Sequence, residues 1–372
     1  MKNFAEAVAD RHQYARDWKA RTGGKVIGYL CTYTPEEVIY AAGALPVRVL
    51  GGHEPQSVTE PHIYNMYCSL CRDVLGQGLM GRYDYLDGLV LANSCTHMSQ
   101  VFDSWQRHRR LPFHHMLYMP ANVFNPSAAT LFADEVRRFR AALEKWLGQP
   151  ISAEALREAI QVYNTNRRLL RQLYDLRRAD SPPLSGAEVL PIVVSSMLMD
   201  KREHTEMLSR LLKRLPRRRN GAGGVRVLTY GSENDDPELV GLIESLGAAV
   251  VVDDQCAGSR YFWNQVPDGD DPEAAIARRY LERPPCPQKD LEGKKRIPHL
   301  MSLVDDYRVK GAIFLQQKFC DPHAYDAPSI LGALKEKGIP SLSLEYDVVI
   351  PAGQFRTRIE AFLEMLGAME EF

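Results

Sequence analysis

The sequence lacks a long apolar run, a strong net charge and any glycine-rich nucleotide motif. Its longest apolar stretch, "VLPIVVSSMLM" (189–199), is far short of the ~20 residues a membrane-spanning helix needs. The N-terminus, "MKNFAEAVADRHQYARDWKAR", is charged throughout and has no signal-peptide core, so a cytoplasmic chain with no membrane association is expected. A formal net charge of −1 argues against general affinity for nucleic acid. The one strongly basic run, "RLLKRLPRRRNGAGG" (210–224), reads as a solvated linker. No Walker motif occurs, and no G-x-G-x-x-G links a first strand to its helix, which disfavours dinucleotide binding and autonomous ATP hydrolysis. If ATP matters, a partner consumes it.

What is present is a 372-residue chain, 45% hydrophobic and 25% charged, long enough for two or three domains with their own cores. "KVIGYL" (25–30), "LPVRVLGG" (45–52), "YLDGLVLANS" (85–94) and "HHMLYMP" (114–120) read as strands. Helices are expected from Pro35 at N1, with Thr34 as N-cap and Gly43 as the end, and at 64–80 and 97–108. Residues 129–147, 152–178 and 186–215 carry helical periodicity and look like an insert or arm. Alternation then resumes, with strands at 225–231, 248–254, 311–317 and 339–347 and helices at 236–247, 326–337 and 354–369. The expected class is α/β, two Rossmann-like parallel-sheet domains with a helical segment between them: 1–128, 129–222 and 223–372.

Seven cysteines in a chain expected to be cytoplasmic are poor candidates for structural disulfides. Cys31, Cys95, Cys256 and Cys320 each follow a strand, at the edge where open α/β sheets bind ligands. Cys31 to Cys95 and Cys256 to Cys320 are both 64 residues apart, by duplication or coincidence. Cys68 and Cys71 form a C-x-x-C. Zinc remains open, although a second C-x-x-C or H-x-x-x-H pair is missing. A dithiol switch would place the motif at a helix N-terminus, whereas here it falls within the expected helix. An iron–sulfur cluster would use all six: Cys31, Cys68, Cys71, Cys95, Cys256 and Cys320. Cys286, between prolines in "ERPPCPQKD", reads as a surface thiol.

The segments "GYLCTYTPEEVIYAAGALPVRVLG", "YDYLDGLVLANSCTH", "DDQCAGSRYF" and "FCDPHAYDAPSILGALKEKGIPSLSLEYD" resemble the 2-hydroxyacyl-CoA dehydratase / benzoyl-CoA reductase family from about residue 22 to the C-terminus. Within it the chain is similar to the smaller, cluster-binding C subunit of ATP-dependent benzoyl-CoA reductase. The resemblance implies a 4Fe–4S cluster on Cys31, Cys95 and Cys320. In the double-cubane branch, Cys68, Cys71 and Cys256 would complete six ligands for an 8Fe–9S cluster. It also implies a homologous larger B-type subunit, an ATPase electron donor with its own 4Fe–4S cluster, and an aryl-CoA or acyl-CoA substrate.

Ring reduction would need a proton donor, for which His97, His323, His53 and Glu54 are candidates by proximity to ligands or a strand end. Arg260, Tyr261 and Trp263 could wall a cluster or meet an acyl-CoA. The expected function is the iron–sulfur catalytic subunit of an aryl-CoA reductase. The alternatives are a 2-hydroxyacyl-CoA dehydratase subunit, a homodimeric double-cubane reductase of small molecules, and a non-catalytic electron relay.

Overall fold

The computed structural model describes residues 3–215, 223–290 and 294–370. Part of the basic run, residues 216–222, lies outside the described residues. Two four-stranded parallel sheets organise the chain. The first contains β1 (Val26–Tyr29), β2 (Leu45–Arg48), β3 (Gly88–Ala92) and β4 (Phe113–Leu117), in the order β2-β1-β3-β4. The second contains β5 (Val225–Gly231), β6 (Ala248–Asp254), β7 (Gly311–Gln317) and β8 (Ser341–Tyr346), in the order β6-β5-β7-β8. The two orders are the same, so β5 corresponds to β1, β6 to β2, β7 to β3 and β8 to β4. This bears out two Rossmann-like sheets.

Helices α1 (Phe4–Ala9) and α2 (Arg11–Thr22) precede the first sheet. Within it lie α3 (Glu36–Ala41), α4 (Ser69–Leu79) and α5 (Thr96–His108). Pro35 itself is the N-cap of α3, one residue beyond the expected cap. Helix α4 begins at Ser69, not residue 64, because Cys68 is extended at φ −58° and ψ 151° and acts as its N-cap. Gly78 lets α4 close on α5, since a Cβ there would meet the Trp105 ring at 2.5 Å.

The middle helices are α6 (Ala128–Leu147), α7 (Ala153–Asp175), α8 (Gly186–Ser196) and α9 (Lys201–Leu212). The expected helix over 186–215 is therefore two, because Asp200 caps a new start by accepting from Arg202 N and Glu203 N. These helices do not project as an arm. Helix α6 packs on β4, α7 on α3 and α9, and α8 on β6 and on α10 (Pro237–Ser245).

The second half adds α11 (Ser259–Phe262), α12 (Pro272–Glu282), α13 (Arg296–Asp306), α14 (Asp321–Glu336) and α15 (Ala352–Glu370). Helices α12 and α13 are additions to the elements expected from sequence. Although it follows the second sheet's strands β5 and β6, α12 packs on α6 over the outer face of the first sheet. Its Ala275, Ile276 and Tyr280 join a buried cluster with Ile27, Val90, Phe113 and Phe132. The inner faces of both sheets share a second, larger core. Among the described residues no helix is long and apolar enough to cross a membrane.

Ile276 is fully buried in that outer core. Ile276→Ala is expected to cost about 2–4 kcal/mol, read as a lower urea midpoint, by removing the contact through which α12 covers the first sheet.

Candidate functional site

All seven cysteines line one cavity enclosing about 680 Å³ of empty space, its mouth included, between the carboxyl edges of the two sheets. Leu30, Leu70, Met98 and Pro322 give it apolar walls, and Arg48, Glu233, Arg260, Arg283 and His323 its charged and polar ones. Cys286 belongs to this set and is no surface thiol. Its loop docks on the loop after β1: Cys286 N donates to Tyr33 Oη at 2.9 Å, and Arg283 Nη1 donates to Thr32 O at 2.6 Å.

The thiols are held in two ways. Cys68, Cys95 and Cys320 are the N-caps of α4, α5 and α14, and Cys71 lies in the first turn of α4, so three helix N-termini face these four sulfurs. The partial positive charge of those termini favours thiolate. Cys31, Cys256 and Cys286 sit in loops, and the cations lining the cavity are arginines: Arg48, Arg260 and Arg283, all buried. The equal 64-residue spacing is in part coincidental. Cys95 and Cys320 follow equivalent strands, β3 and β7, whereas Cys31 follows β1 and Cys256 follows β6, the counterpart of β2.

The C-x-x-C belongs to the first half of the chain but is fixed by the second. Leu70 N donates to Gln317 Oε1 at 2.7 Å, Ser69 Oγ donates to Asp347 Oδ1 at 3.1 Å, and Arg72 pairs with Asp347. Gln317 also donates to Glu233 O at 2.7 Å. Glu233 meets Arg48 at 2.9 Å, a buried ion pair across the two halves. Cys68 starts the helix, so the objection that the motif sits inside a helix does not hold. The Cys68 thiol is drawn down to about 6, first by its hydrogen bond with the Cys71 thiol and then by His97; the same Cys68–Cys71 contact holds Cys71 well above its ordinary value. Burial pushes Cys286 up to about 12.

The candidate proton donors scatter. His323 lines the cavity, but burial, then Arg260 and Arg296, keep its imidazole neutral. His97 stands behind Cys68, whose backbone N donates to its Nδ1 at 3.3 Å. Its Nε2 lies 3.5 Å from Asp321. His53 and Glu54 do not line the cavity: His53 pairs with Asp235 at 3.0 Å and Glu54 is exposed. Of the three residues singled out after Cys256, Arg260 lines the cavity. Tyr261 Oη donates to Glu36 Oε1 at 3.1 Å, and Trp263 stacks under Arg171 at 3.6 Å. Glu36 and Glu37 open α3 as expected but are fully buried, Glu37 against Arg167 at 2.5 Å.

A family model described as "2-hydroxyglutaryl-CoA dehydratase, D-component" matches residues 31–366. The chain belongs to that family. It is 28% identical over 98% of both chains to the (R)-phenyllactyl-CoA dehydratase beta subunit of Clostridium sporogenes. It is 28% identical to the C subunit of benzoyl-CoA reductase from Thauera aromatica, over 89% of this chain and 88% of that one. It is 29% identical over 98% of both chains to the (R)-2-hydroxyglutaryl-CoA dehydratase beta subunit of Acidaminococcus fermentans. Family membership places the chain among subunits of CoA dehydratases and reductases.

The donor set fits the iron–sulfur group that this resemblance implies better than it fits one ion. Zinc takes four donors around a single point, ~2.0–2.3 Å away. Seven thiols instead surround a space, with Nε of Arg48, Arg260 and Arg283 buried and lacking a hydrogen-bond partner. Sulfur ligands around an anionic group suit both observations.

His53 gives a pH test. Burial pushes its pKa down, but the Asp235 carboxylate outweighs this and raises it from 6.5 to about 9. A raised pKa stabilises the fold fully below 6.5, and the contribution is lost as pH rises through about 9. The urea midpoint is expected to fall between pH 6.5 and 9, with His53→Gln removing that part of the slope.

Proposed function

We propose that this chain is the iron–sulfur subunit of an aryl-CoA reductase of the benzoyl-CoA type. The supporting observation is the convergence of seven cysteines and three buried arginines on one cavity between two sheets. The ligands would be drawn from Cys31, Cys68, Cys71, Cys95, Cys256 and Cys320, with Cys286 now added to the set. Three thiols suffice for one cubane, so this number favours a double-cubane cluster. Bound there, such a group supplies single electrons at low potential.

The remaining work falls to side chains. Leu30, Leu70, Met98 and Pro322 keep water from the sulfurs, which protects low-potential electrons from solvent side reactions. Arg48, Arg260 and Arg283 offset negative charge. His97, with Nδ1 accepting from Cys68 N, carries its proton on Nε2 at the rim. Its hydrogen bond with the Cys68 sulfur, the largest influence, raises its pKa against the lowering by burial, so the ring takes up a second proton, at Nδ1, more readily than an ordinary imidazole. His323, neutral, is suited to hydrogen bonding rather than acid catalysis.

The relatives are named as beta or C subunits of CoA enzymes, which supports a CoA thioester substrate and a further subunit, read here as the homologous B-type one. Exposed Tyr64, Met66, Phe319 and Tyr325, close in sequence to Cys68 and Cys320, are suited to such a partner. With no Walker motif in the chain, ATP-coupled electrons would come from a separate ATPase. The second reading, a 2-hydroxyacyl-CoA dehydratase subunit, is favoured by relatives named as dehydratase beta subunits.

Anaerobically isolated protein is expected to carry about eight irons and a similar amount of sulfide per chain. About four irons, unchanged in Cys68→Ser, would point to the dehydratase pattern. Zinc without iron would end the cluster reading.

A further inference from the structure

The charges around the cavity do not balance. Arg48 has Glu233 at 2.9 Å, and Arg260 has Asp254 at 3.5 Å, a carboxylate it shares with Arg296 at 3.2 Å. Arg283, the C-cap of α12, is 1% exposed and has no carboxylate at ion-pair distance among the described residues. Its Nη1 donates to Thr32 O at 2.6 Å and to Thr32 Oγ1 at 3.3 Å, its guanidinium lies 4.6 Å over the Tyr33 ring, and its Nε has no partner. Lys289 is 2% exposed, donates to Met119 O at 3.1 Å, and likewise has no carboxylate at that distance among the described residues. Arg279, one turn before Arg283, also lacks one but sits in the field of Glu37.

Carbonyl and ring contacts recover only part of the cost of taking a unit charge out of water; the rest demands a counter-anion. Arg283 lines the cavity with the seven cysteines, and Lys289 ends the short turn capped by Cys286, its N donating to Cys286 O at 2.8 Å. Cys31, Cys286 and Cys95 lie in the field of Lys289, and Cys256 in that of Arg283. Both cations are supplied by one short stretch, 283–289, that crosses from the second half of the chain to dock on the loop after Cys31.

We propose that Arg283 and Lys289 are built-in counter-charges for the thiolate-held group in this cavity and raise its reduction potential by stabilising the electron it accepts. This rests on the cluster reading above. The electron is given up by a one-electron donor outside the chain, which is oxidised by one as the cavity group is reduced by one. No bond or proton of Arg283 or Lys289 changes.

The test compares iron, sulfide and mediated redox titrations of the anaerobic full-length chain and its variants. Arg283→Met and Lys289→Met are expected to keep their iron. Their first reduction should become at least tenfold less favourable, about 59 mV more negative for one electron. Arg283→Lys, which keeps the charge, stays within threefold of wild type. Wild-type potentials in both Met variants at full iron overturn the proposal. If a Met variant loses iron, the charge-conserving Arg283→Lys or Lys289→Arg decides: retained iron upholds the counter-charge, and loss in both overturns it. A wild-type chain without iron sinks the functional reading itself, and the counter-charge proposal with it.

Discussion

Arg48 ends β2 of the first sheet and meets Glu233 in the loop after β5 of the second, so each half contributes one member of a buried ion pair. A buried pair is costly to assemble and far costlier to leave half-made, because the survivor is a stranded charge. The two carboxyl edges are therefore held at a set separation. Gln317 ties the same Glu233 carbonyl to Leu70 in the C-x-x-C, and Arg72 and Ser69 reach Asp347. Cavity width, thiol placement and inter-sheet geometry are consequently one property rather than three.

Within that frame the protein supplies positive charge to its sulfurs from two sources. Helix N-termini serve Cys68, Cys71, Cys95 and Cys320, using backbone dipoles that carry no net charge. Buried cations serve the Cys31, Cys256 and Cys286 side, and each is a full unit charge in a place with little water. The two sides of the thiol ring thus differ electrostatically even though the two sheets share a topology.

The parts of this arrangement that are local in the chain can be read from sequence. Strands β5, β6 and β7 begin and end where their apolar runs do, and cysteines just past strand ends reach the ligand edge by the ordinary rule for open sheets. Cys286 cannot be read so. Two prolines and polar neighbours describe a surface loop, and only the docking of that loop on Thr32 and Tyr33, some 250 residues away in sequence, turns its thiol inward. The start of α4 is hidden because apolar spacing continues through 64–68, while its N-cap, Cys68, makes no side-chain capping bond that a sequence pattern would announce. His53 and Glu54 follow a strand end in the chain, but His53 is drawn to Asp235 of the other half, and adjacency in sequence carries no information about that partner.

The crossing of α12 has a further consequence for how such a chain can arise and be divided. The two sheets have the same strand order, the signature of a doubled unit, yet the outer face of the first is closed by a helix encoded after β6 of the second. A fragment ending at residue 215 would lose Ala275, Ile276 and Tyr280 from the cluster in which α6 packs with Ile27, Val90 and Phe113. The second fragment would carry a helix with nothing to lie on. The halves resemble each other as copies but are interlocked as parts, and each would be expected to need the other present in order to fold.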